Sequence, residues 1–236
     1  MIEFLGEVAA WFTDPANWTG INGIPNRMWE HIQMSAAATT AAALVAIPPA
    51  VYLAHHRRGG VLAVASVNVA RAVPSFAIVA VFLPISIRLG LGLGFWPTFL
   101  ALFFLAVPPI FTNSYTGVAG VDPALTEAAR GMGMTDGQVL RRIEVPVASP
   151  LIIAALRVAT VQVIATATLA ALVAWGGLGR YIIDGFATQD SVEVFAGGLL
   201  VAALALATDA VFSIVERRIT PRGTGTAADD VTRVAA

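Results

Sequence analysis

The residues able to do chemistry in this chain are few, and most stand where charge is expensive. Arg71, Arg157 and Asp209 each interrupt a long apolar stretch, and Asn68, Ser75, Gln162 and Thr166 lie near them in sequence. Polar groups on such helices are costly and face a partner helix or a solvated path. The chemistry they support is coordination and passage of a polar solute, with helix–helix hydrogen bonding as the plainer alternative. Gln162 and Thr166 are four apart and share one helical face. Asn68 and Ser75 flank a kink at Pro74 and are candidates for the same path. Arg157 and Asp209 reach similar depths from one side of the membrane. Their pairing, directly or through Arg71, is the economical arrangement, against each arginine reaching alone for the headgroups.

Bond-making chemistry finds no support. His31, His55 and His56 all fall near span ends, and neither His-Glu-x-x-His nor Gly-x-Ser-x-Gly occurs. With no cysteine there is no thiolate metal site and no disulfide framework. The run Gly90-Leu91-Gly92-Leu93-Gly94 lacks the Gly-Lys-Ser/Thr ending of a phosphate loop and reads as an outer connector. No catalytic, metal or cofactor-binding residue is assigned. The chain is not an enzyme by this reading.

The elements that position these residues follow from apolar length. Hydrophobic residues make up 57% of the 236 and charged ones 12%, with mean hydropathy +0.77; that composition excludes a soluble globular domain. A span needs roughly 20 apolar residues. Five are predicted: 33–54, kinked at Pro48-Pro49; 60–87, interrupted by Arg71 and Pro74; about 95–115; 149–175; and 194–215. Residues 1–30 form an outer amphipathic segment rather than a signal peptide, because the start is acidic and lacks a long apolar run. The transmembrane domain runs over 31–218, and 219–236 is a short polar tail expected to be disordered.

All 14 basic residues are arginines. With the N-terminus outside, nine fall on inner segments and three (Arg27, Arg88, Arg180) on outer ones, the bias that orients membrane proteins. The C-terminus is then cytoplasmic. Trp29, Trp96 and Trp175 suit an outer aromatic belt.

One long polar interval, Asp122 to Pro146, separates the third and fourth spans. Asp122 caps a helix with Pro123 at its first position. Gly131 and Gly133 stop that helix. Thr135 and Gln138 form a capping box for a second short helix through Val139, Leu140 and Ile143. Gly133 fits a backbone turn with positive φ or a close approach. The result is a compact cytoplasmic knob suited to docking another protein.

Glu127-Ala128-Ala129, followed in register by Gly133, Ile143 and Val145-Pro146, resembles the EAA loop of ATP-binding-cassette (ABC) importer permeases, with Val145 in place of the usual leucine. Arg71-Ala72-Val73-Pro74-Ser75, the run 122–134, Ala165 to Leu172 and Gly176-Gly177-Leu178-Gly179 together look like permeases of osmoprotectant importers for glycine betaine, choline, carnitine or proline. The likeness covers most of Gln33 to Arg218. It implies an all-α membrane protein with the type I importer permease fold, and a coupling loop in which Glu127, Ala128, Ala129, Gly133, Ile143 and Pro146 meet the ATPase. It also implies cytoplasmic ABC ATPase subunits, a second permease subunit (identical or paralogous) and an extracytoplasmic solute-binding protein. The alternatives are a permease for another small zwitterion or betaine, and a non-transporting scaffold or sensor subunit. Pro74 is expected to let the second span bend during gating, with Gly176–Gly179 as a flexible outer loop that follows.

Overall fold

In the computed structural model, residues 1–57 and 59–219 are described. Among these, the chain is helical, with no strand. In order come α1 (Ile2–Thr13), a 3₁₀ turn at Pro15–Trp18, α2 (Ile24–His55), α3 (Gly60–Ala70), α4 (Ser75–Arg88) and α5 (Phe95–Ala119). Then follow α6 (Pro123–Gly131), α7 (Asp136–Val139), a π-helical turn at Leu140–Glu144, α8 (Val145–Thr166), a 3₁₀ stretch at Ala167–Val173, α9 (Gly179–Thr188) and α10 (Ser191–Ile219). The predicted tail lies, from residue 220 on, outside the described residues.

Small side chains hold the bundle together. Ala38, Ala42, Ala46 and Ala50 recur every four residues along α2 and are each at most 2% exposed. That spacing puts them on one face, where they pack with Leu102, Ala106 and Ile110 of α5 and Ala159 and Val163 of α8. Without bulk on the stripe, the backbones approach closely, which is how helices associate where lipid removes the hydrophobic drive. α2 carries on through Pro48 and Pro49 and reaches 32 residues, about 48 Å at ~1.5 Å per residue. It spans the whole bundle from end to end.

The second predicted span is corrected. Over 60–87 the chain forms two helices, α3 of 11 residues and α4 of 14, joined by a turn at 71–74. Pro74 does not kink a continuous helix. It caps α4 with extended backbone, φ −60° and ψ 132°, because proline disfavours helix in the residue before it and has no N–H to continue the ladder. Both halves pack on α5. Among the described residues, four segments are long and apolar enough to cross a membrane: Ile24–His55, Phe95–Ala119, Asp136–Val173 and Ser191–Ile219.

Two further differences concern segment ends. The fourth span begins without a break from the second knob helix, so α7, the π turn and α8 form one continuous run. It loses its α geometry at Thr166 and finishes as a 3₁₀ stretch. α1 packs against α10, with Phe4 edge-on to Phe195, and its Trp11 stands edge-on to Tyr181 of α9.

Candidate functional site

The knob at one end of the bundle is built from local rules. Asp122 accepts a hydrogen bond from the Ala124 N–H at 2.9 Å and caps α6, with Pro123 in the first turn. Thr126 and Ala129 face inward, 5% and 1% exposed, while Glu127 and Ala128 face out. The helix closes as a Schellman turn. The Met134 N–H donates to the Ala129 carbonyl at 3.1 Å and the Gly133 N–H to Arg130 at 2.9 Å. Gly133 stands at φ +87° with no atom within 4 Å of where a Cβ would sit. Its requirement is the sign of φ; a close approach is not what selects glycine here.

Thr135 and Gln138 complete a capping box on α7. Val139, fully buried, anchors that turn, and Ile143 is half-buried behind it. The Val145 N–H then reaches back five residues to the Leu140 carbonyl. Pro146 follows, exposed. A proline ring crowds the carbonyl four residues earlier, and a widened turn in front of it relieves that crowding.

Glu144, in this π turn, is a residue the sequence reading passed over. It is 6% exposed, and its Oε2 lies 2.6 Å from Nδ1 of His55 at the end of α2. Both side chains are more than nine-tenths buried. A carboxylate inside a polar loop gives no sequence signal of burial; the partner is 89 positions away.

At the opposite end of α2, Glu30 and His31 grip the Gly176–Gly179 loop. The Glu30 carboxylate accepts from the Gly177 N–H at 2.8 Å and from Arg27 at 2.9 Å. His31, 1% exposed, donates from Nε2 to the Ile164 carbonyl at 2.9 Å and accepts at Nδ1 from the Leu178 N–H at 3.3 Å. Those partners fix one neutral tautomer. A Cβ on Gly176 would overlap the Glu30 carboxylate, and one on Gly179 the Thr168 carbonyl. The loop expected to be flexible is therefore pinned: its glycines admit neighbours. Beside it, Tyr181 donates to the Asn22 carbonyl at 2.6 Å. Burial pushes its phenol up to about 12, so it remains a donor.

The charged and polar candidates separate into groups. Arg157 meets Asp209 directly, Nε to Oδ1 at 2.6 Å and Nη2 to Oδ2 at 2.7 Å, with Glu216 at 3.4 Å from Nη1. Arg71 takes no part, and it is exposed in this chain rather than buried. It lines a pocket of about 100 Å³ with Val73, Ser75, Phe104, Pro108 and Gln162. Three predicted residues thus meet in one place. Pro74 adjoins the pocket through the turn. Asn68 sits on α3 with a buried amide oxygen lacking a partner among the described residues, and Thr166 ends α8; neither lines the pocket.

A bundle of apolar spans with an exposed, doubly capped helical knob is the architecture of a membrane-embedded protein. The chain belongs to the family described as binding-protein-dependent transport system inner membrane component, which matches residues 38–221. Members of that family are permease subunits and not themselves enzymes. The chain is 39% identical over 197 residues to the choline transport system permease protein OpuBB of Bacillus subtilis, covering 84% of this chain and 88% of that one. It is 38% identical to the glycine betaine/carnitine/choline transport system permease protein OpuCB of the same organism, covering 82% and 87%. Against the osmoprotectant import permease protein OsmW of Salmonella typhimurium identity is 30%, covering 82% and 90%. Its fold is similar to that of the MetNI methionine ABC transporter in an inward-facing conformation, with TM-score 0.72 at 20% identity over 82% of this chain and 94% of that one.

Proposed function

We propose that this permease carries a small compatible solute, of the glycine betaine, choline, carnitine or proline kind, into the cytoplasm. The N-terminus lies outside and the C-terminus inside, as the nine-to-three distribution of arginines favours. The knob 122–146 docks on separate ABC ATPase subunits, which hold ATP and its magnesium. A second permease subunit completes the path, and an extracytoplasmic binding protein delivers the solute. The observation that carries this reading is the knob itself: Glu127 and Ala128 exposed on α6, the Gly133 turn closing it, and Glu144 locking its far side to α2. Its relatives' names supply the solute class. The test is reconstitution in liposomes with the co-encoded ATPase and binding protein. ATP-dependent uptake of one of these solutes is the expected result; absence of uptake for all four overturns it.

A further inference from the structure

An arginine inside a membrane needs an anion. Arg157 has two carboxylates, Asp209 and Glu216. Arg71 has none: among the described residues its guanidinium makes no ion pair and no hydrogen bond. Its depth is considerable. α3, with Gly59 at its N-cap, places Arg71 12 residues further on, about 18 Å at ~1.5 Å per residue, or a little over halfway across a hydrocarbon core of about 30 Å. Phe104, which lines the same pocket, is likewise near the middle of α5, whose bounds are Phe95 and Ala119. A charged group at that depth marks a functional site by default, and its counter-ion must be supplied.

The rest of the pocket fits a particular ligand chemistry. Gln162, exposed on α8, and Ser75, at the start of α4 where no side chain caps the helix, can both donate to an anion. Arg71 offers the planar fork that matches a carboxylate. The rest of the lining is aromatic and apolar, with Phe104 stacked on Phe82 at 6.4 Å and 41% exposed. An aromatic face attracts a quaternary ammonium. We propose that this pocket is a solute subsite on the permease itself, in which Arg71, with Ser75 and Gln162, takes the carboxylate of a zwitterion in passage while Phe104 faces its ammonium end. The site rests on the reading of the chain as an importer permease, and it narrows the solute to one bearing a carboxylate, glycine betaine or carnitine rather than choline.

The test uses the whole importer in liposomes with its ATPase and binding protein, measuring uptake of radiolabelled glycine betaine and choline. Wild type imports glycine betaine. Arg71→Gln lowers that uptake about tenfold or more, the loss expected of one charge-assisted pair, while Arg71→Lys, which keeps the charge but loses the fork, falls between Arg71→Gln and wild type. Gln162→Ala, on another helix, lowers it by a smaller factor. All variants are compared at equal amounts of assembled complex. Glycine betaine uptake unchanged in both Arg71→Gln and Gln162→Ala overturns the subsite. Equal loss in Arg71→Gln and Arg71→Lys also overturns it, because charge would then be irrelevant. A wild type that moves choline alone refutes the carboxylate and leaves the permease standing. Uptake of neither solute by wild type overturns the osmoprotectant reading and the subsite together.

Discussion

Nδ1 of His55 lies 2.6 Å from Oε2 of Glu144, joining the end of α2 to the π turn that leads from the knob into α8. Both side chains are buried, so a movement of the knob that carries Glu144 also pulls on a helix reaching the far end of the bundle. At that far end the same helix holds Gly177 and Leu178 through Glu30 and His31.

Removing the histidine costs more than neutralising the acid. His55→Ala leaves a buried carboxylate alone, a loss of about 3–5 kcal/mol. Glu144→Gln keeps a hydrogen-bonding group of the same shape and loses less. Thermal unfolding of the purified subunit checks the order. Equal shifts in Tm for the two variants contradict the pair's importance.

Gly133 separates backbone conformation from contact. Its φ of +87° with open space around it means that any L-residue carries a backbone strain of about 1–2 kcal/mol. Asn tolerates that region better than Ala or Val. Gly133→Asn therefore keeps more ATP-coupled uptake than Gly133→Ala, and Gly133→Val keeps least. Had a close approach been the reason, side-chain size alone would set the order, with Ala best.

Arg157 and Asp209 form a two-point contact across α8 and α10. Groups in contact are not additive. Asp209→Asn lowers the Tm of the subunit, and adding Arg157→Gln to it lowers Tm by less than Arg157→Gln does in wild type. Full additivity in this cycle is the result that would count against the contact.

Two glycines outside the knob make an internal comparison. At Gly179 a Cβ overlaps the Thr168 carbonyl, whereas at Gly198, in α10, it meets nothing within 4 Å. Gly179→Ala lowers Tm and detaches the pinned loop. Gly198→Ala is neutral or raises stability by about 0.5–1 kcal/mol, as Gly to Ala does inside a helix. Proteolysis rates of the loop, read beside the Tm values, distinguish the two.

What the sequence determined by itself is whatever depends on neighbours within a turn or two. The α6 cap follows from Asp122-Pro123, its stop from Gly131 and Gly133, and the α7 capping box from Thr135 and Gln138. Each is fixed by hydrogen bonds reaching two to five residues, so residue order contains the answer. The family was legible for a related reason, since the Glu127–Pro146 spacing is local. Other features were decided only by the tertiary structure. Whether 60–87 bends or breaks depended on how α3 and α4 each pack on α5, and the chain breaks. That Gly176–Gly179 is pinned required knowing that Glu30 and His31, nearly 150 residues earlier, stand against it. The burial of Glu144 was decided by His55, which arrives from another helix. The sequence left open whether Arg157 and Asp209 pair directly or through Arg71, and in the fold Arg157 reaches both Asp209 oxygens itself. Long-range pairing depends on where helices cross, and side chains on helices far apart in sequence announce no such crossing.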